Sequence, residues 1–144
     1  MNSYILKFPV ILIDQDQVRF CTGIHDLGKW RRKNALDPLL HYGLEIVDAE
    51  GNSYFIKKVI LKEPLGLFSK LDFLGNSWVQ VELELAFNKH LDLEIFKLKS
   101  CRILLSSSTR PVYFKNNFPE LVQQIKHAPG FVEIFRCLNS EILV

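Results

Sequence analysis

The chain has 144 residues, 48% of them hydrophobic and 24% charged, with a formal net charge of +2. That length suits a single domain, and eleven Phe, four Tyr and two Trp supply enough apolar surface to exclude a disordered chain. So even a charge balance argues against a general nucleic-acid binder and against an acidic mimic of DNA or RNA.

Residues Tyr4 to Ile13 are almost wholly apolar. The polar turn Asp14-Gln15-Asp16-Gln17 follows, and Val18 to Thr22 resumes an extended pattern. The spacing predicts a β-hairpin with Arg19 pointing away from Val18 and Phe20. Pro9 places the first strand at a sheet edge or at a bulge, because proline cannot donate to a ladder. The opening residues lack the basic stretch, apolar run and cleavage site of a signal peptide. No apolar run reaches the ~20 residues that span a bilayer. The expectation is a cytosolic protein without a membrane partner.

From Gly23 to Gly43 the pattern is helical in one or two short pieces. Ile24, Leu27 and Trp30 recur at near-helical spacing, although Gly28 interrupts them. The only charge run, Lys29-Trp30-Arg31-Arg32-Lys33, lies here. Asp37-Pro38 restarts the chain as a cap and first helical residue, and Gly43 stops it.

Leu44–Asp48 and Ser53–Leu61 read as a second hairpin around Ala49-Glu50-Gly51-Asn52, since Gly51 and Asn52 tolerate the positive φ of a tight turn. Pro64 and Gly66 end it, and Leu67–Gly75 reads as an apolar loop or short helical turn. Trp78 to Leu85 then alternates without fault. Trp78, Gln80, Glu82 and Glu84 share one face, while Val79, Val81, Leu83 and Leu85 share the other. That is a half-buried antiparallel strand.

The stretch from Leu91 to Leu105 fits two templates. Asp92 can cap a helix carrying Leu93, Phe96 and Leu98 or Cys101, yet Leu91, Leu93 and Ile95 also alternate as a strand would. Cys101–Leu105 fits a buried strand as well as a helix, and Val112–Phe114 suits a short strand. Pro119–Lys126 opens with Pro and Glu, as helices prefer. Phe131, Ile134, Phe135 and Leu138 follow the i, i+3, i+4, i+7 stripe of a core-facing helix. The fold class expected is α+β: one domain over residues 1–144, an antiparallel sheet with helices packed mainly on one face.

Candidate chemistry is sparse. His25-Asp26-Leu27-Gly28-Lys29 resembles the His-Asp signature of HD-type metal-dependent phosphohydrolases, but the upstream His ligand those enzymes need is missing, because His25 is the first His here. A catalytic metal site takes about three converging ligands, so no metal and no cofactor is expected. A surface His beside a turn Asp explains the pair. Cys21, Cys101 and Cys137 form no CxxC pair and read as buried apolar residues. Glu82 and Glu84 share a strand face, a spacing that serves acid–base work or a wet face equally. Trp78 on that face either closes over another layer or anchors a partner. Lys29 to Lys33 suits phosphates, an acidic protein or a solvated helix face with Trp30 turned inward.

The layout resembles that of small bacterial immunity proteins, which neutralise polymorphic or contact-dependent toxins by binding them. The likeness lies in the hairpin Leu44–Leu61 with its Asp48-Ala49-Glu50-Gly51 turn, the strand Val79–Leu85, the Leu91-Asp92-Leu93-Glu94 segment and the closing helix Phe131–Asn139. It implies a non-catalytic, cytosolic protein whose partner is a cognate toxin, and it transfers no functional residue. From the residues themselves, the surface to test first is Trp30, Arg31, Arg32 and Lys33, then Trp78, Glu82 and Glu84. The alternatives are a small phosphohydrolase using His25 and Asp26, and a nucleic-acid-binding accessory protein centred on the basic run.

Overall fold

A computed structural model describes residues 6–15, 17–64, 78–106 and 118–139. The expected loop at Leu67–Gly75 and strand at Val112–Phe114 lie outside these residues. The described strands form one antiparallel six-stranded sheet in the order β2-β1-β4-β5-β6-β3. They are β1 (Val10–Asp14), β2 (Gln17–Cys21), β3 (Lys29–Arg31), β4 (Leu44–Val47), β5 (Asn52–Pro64) and β6 (Trp78–His90). Three short helices, α1 (Ile24–Leu27), α2 (Arg32–Ala35) and α3 (Pro38–Tyr42), precede β4. Among the described residues, three longer ones follow β6: α4 (Leu93–Ser106), α5 (Phe118–Lys126) and α6 (Phe131–Asn139). The fold is a single α+β domain, as the pattern predicts.

The run Val10-Ile11-Leu12-Ile13 is apolar at every position because β1 is buried on both faces. Val10 and Leu12 point into the concave side of the curled sheet, with Ile46, Tyr54, Ile56, Val79, Val81 and Leu85. Ile11 and Ile13 point to the convex side, where Val47, Phe96, Ile103, Leu104, Ile125, Ile134, Phe135 and Leu138 meet them. Burial of each such side chain contributes about 1.5–3 kcal/mol. Pro9 does not put β1 at an edge: β1 lies between β2 and β4, and the strand starts at Val10, one residue after the proline. The missing donor therefore falls outside the ladder.

Curling brings the two ends of the sheet together, and Arg19 joins them. From β2 its guanidinium donates to the carbonyls of Lys29 and Asp26, both at 2.6 Å, and pairs with the Asp26 carboxylate at 3.6 Å. This side-chain bridge links the two end strands without ladder pairing between them. Ile24 and Leu27 lie in the short helix α1, as their spacing predicts, but Lys29–Arg31 forms a short strand, so Trp30 does not continue that helix. The reason is Gly28: a Cβ there would sit 2.5 Å from the Val81 carbonyl, and the Val81 amide donates to the Gly28 carbonyl at 2.7 Å. The backbones approach too closely for any side chain.

The β4–β5 turn is built on Asp48, whose fully buried carboxylate accepts from the amides of Glu50, Asn52 and Lys7 and from Asn52 Nδ2. Gly51 takes φ +86° there. Asp92 resolves the ambiguous segment in favour of helix, its Oδ1 accepting from the amides of Glu94 and Ile95 at 3.0 and 3.1 Å. Cys101–Leu105 is accordingly helical and not a buried strand. Lys97, nearly buried, fastens α5 to α4 by donating to the Lys126 carbonyl at 3.0 Å while pairing with Glu94. Phe96 packs edge-on against Phe135 at 5.9 Å, closing the helical layer.

Candidate binding surface

Among the described residues, the helical layer covers only half of the convex face. Its strand contacts come from β1, β2 and β4, through Ile11, Ile13, Val18, Phe20 and Val47. The other half, formed by β4's neighbour β5 with β6 and β3, contributes nothing to that cluster. Phe55, Ile60 and Trp78 remain exposed on it.

Strand alternation sorts the candidates of the basic run. β3 pairs with β6 in the register Lys29↔Gln80, Trp30↔Val79, Arg31↔Trp78. Trp30 therefore faces the core with Val79. It is 4% exposed, its Nε1 donates to the Leu27 carbonyl at 2.9 Å, and His41 meets its ring edge-on at 5.5 Å. This candidate belongs to the interior and not to the surface. Arg31 faces outward, with its guanidinium carbon 3.9 Å from the centroid of the Trp78 ring, and Lys29 Nζ stands 5.2 Å from the same ring. Two cations on one indole hold it in place; each such contact is worth about 0.5–1 kcal/mol at an exposed site. Arg32 and Lys33 turn into α2, on the rim beside this cluster, with Lys33 exposed.

Glu82 and Glu84 continue the same face of β6. Glu82 pairs with Lys62 at 2.6 Å, and that hydrogen bond and charge pull its carboxyl below the usual carboxylate range. Glu84 lies 4.0 Å from Lys57. Both are surface ion pairs across β5 and β6, an arrangement suited to docking rather than to proton transfer. The structure thus unites Arg31, Trp78, Glu82 and Glu84 on one uncovered face and separates Trp30 from them.

Sequence reasoning missed two contributors. Lys57, Lys58, Ile60 and Lys62 of β5 share this face, as the register of Lys58 and Ile60 and the ion pairs of Lys57 and Lys62 with Glu84 and Glu82 show; the apolar run Val59-Ile60-Leu61 and the register shift at Lys57 hid the alternation. Leu36, Leu39 and Tyr42, around α3, are 60%, 83% and 86% exposed. Behind them the open end of the curled sheet forms a recess of about 250 Å³, floored by Leu12, Leu40, Leu44 and Trp30 and walled by Asp14, Arg19, Arg31, Asn34 and Trp78.

His25 and Asp26 line a separate, open groove with Thr22, Gly23, Lys29 and Gln80. Asp26 is committed there: one oxygen accepts from the Thr22 amide at 3.2 Å and the other faces Arg19. Among the described residues, no three His, Cys, Asp or Glu side chains are grouped to hold a metal ion. All three cysteines are free thiols, and burial pushes Cys21 up to about 11. No described helix is long and apolar enough to cross a membrane. No protein-family model, curated protein or solved structure matches the chain, so its reading rests on this surface alone.

Proposed function

We propose that this chain works by binding another protein through the uncovered face of β3, β5 and β6, and that it is an immunity protein neutralising a cognate bacterial toxin. The observation that carries the binding reading is Trp78. It is a large aromatic, 38% exposed, held against Arg31 and Lys29, and it lines a recess together with Arg31, Leu40 and Leu44. Trp, Tyr and Arg are the residue types that dominate binding energy at protein interfaces, near a well-packed centre. An ordinary interface takes about 800 Å² from each partner.

The mechanism is occlusion: the rigid sheet presents the indole and flanking charges to the toxin and covers its active site or a surface it needs. Immobilised side chains lower the ordering cost of such docking. The test is co-production of the chain with the product of a neighbouring secreted-toxin gene. The native chain restores growth and co-purifies with the toxin, whereas Trp78→Ala combined with Glu82→Arg loses both. Full protection by that double variant would remove this face from the mechanism.

A further inference from the structure

The uncovered face is lopsided in charge. From Phe55 to Lys62 on β5, from Trp78 to Ala86 on β6 and along β3, the described side chains include Lys29, Arg31, Lys57, Lys58 and Lys62 against Glu82 and Glu84. Five cations against two carboxylates leave a local excess of three, more than the +2 of the whole chain. Glu82 and Glu84 are matched to Lys62 and Lys57. Lys29 and Lys58 have no carboxylate within ion-pair distance among the described residues.

The recess beside Trp78 has a different character. Its floor is apolar, and at about 250 Å³ it is smaller than the roughly 300–1,000 Å³ of small-molecule sites, so it suits one side chain. Arg19 on its wall is already committed to two carbonyls and Asp26. Asp14 on the same wall opposes an anion entering the recess itself.

Resting on the binding reading above, we infer that the partner segment is acidic: one apolar side chain seated in the recess beside Trp78, followed along β6 by Asp or Glu side chains on Lys29 and then on Lys58. Lys29 and Lys58 flank β6 opposite Gln80 and Glu84, four residues or about 13 Å apart along the strand, so a single extended segment reaches both lysines. A nucleic acid fits less well, because Glu82 and Glu84 stand between the lysines and repel a phosphate backbone.

Selection of a random peptide display library on the immobilised full-length chain tests this, with chosen peptides then titrated by fluorescence anisotropy. The expected peptides carry Asp and Glu to one side of a Leu, Phe or Trp. Their affinity drops about tenfold or more in the Lys29→Glu, Lys58→Glu double variant and weakens with added salt. Both lysines are exposed, and circular dichroism checks that the variant is folded. Neutral or basic peptides that lose affinity on Trp78→Ala would overturn the acidic assignment and leave the binding surface standing. Peptides indifferent to all three substitutions, or no selected peptide, would overturn both. A labelled oligothymidylate that outcompetes the peptides and is lost in the double variant would assign the face to nucleic acid instead.

Discussion

Trp30 and Trp78 stand on opposite faces of adjacent strands, and removing each ring should harm a different property. Trp30→Ala empties a site that is 4% exposed and leaves the Leu27 carbonyl without its indole donor at 2.9 Å. Large-to-small changes of this kind cost about 3–5 kcal/mol, and the lost hydrogen bond adds about 1 kcal/mol. Against a total stability of about 5–15 kcal/mol, that is a large fraction. At about 2–4 °C per kcal/mol for a chain of this length, Tm falls by about 10–15 °C. Trp78 is 38% exposed, and its ring forfeits chiefly two cation–π contacts, about 1–2 kcal/mol together. Urea titration followed by far-UV circular dichroism measures both without relying on the altered fluorophores. Partner affinity is then compared at a temperature where both variants are folded. Trp78→Ala weakens binding and Trp30→Ala leaves it intact. Equal stability losses, or a Trp30→Ala cost below about 1 kcal/mol, would refute the assignment of the two rings.

Arg19→Ala opens the closure of the sheet. It removes the bonds to the Lys29 and Asp26 carbonyls and costs about 2 kcal/mol, and amide hydrogen exchange accelerates across Lys29–Arg31; unchanged exchange there would contradict the closure. Gly51→Ala forces φ +86° on a residue with a Cβ and drives that Cβ into the Phe131 ring. The expected loss is about 2–4 kcal/mol by chemical denaturation, and a near-neutral result would show that the turn can relax. Burial holds the Cys21 thiol protonated up to about 11, against an ordinary value of 9.0. The folded chain therefore binds this proton more tightly than the unfolded chain, so stability falls as pH rises from 9 towards 11. Urea midpoints across that window decline less steeply in Cys21→Ala; parallel declines would refute the linkage.

Local patterns made much of the fold legible. The strict alternation of Trp78–Leu85 identified both faces of β6 because one is wet and the other fills the curled sheet. Asp37, Pro38 and Gly43 delimited α3 through chemistry confined to the helix itself, the Asp37 carboxylate accepting from the Leu39 amide. The stripe Phe131, Ile134, Phe135 and Leu138 was readable for the same reason.

What stayed hidden depends on distant partners. Gly28 reads as a weak helix residue until Val81 is seen against it. The apolar–polar ambiguity of Leu91–Leu105 yields only to the Asp92 cap and to the helices packed against α4. Arg19 closes the sheet through backbone carbonyls, which carry no sequence signature. The candidate surface was half legible: Arg31, Trp78, Glu82 and Glu84 follow from composition and alternation. The role of β5 does not, because it depends on which strands the helices leave bare. Trp30 was read both as a surface candidate among its basic neighbours and as turned inward, since the parity of a three-residue strand is invisible without its partner β6.

The most direct test of protein binding through the uncovered face is amide hydrogen exchange with and without the neighbouring toxin. Slowed exchange confined to Lys29–Arg31, Phe55–Lys62 and Trp78–Ala86 is the predicted result. Protection centred on α4, α5 and α6, or none anywhere, would contradict it.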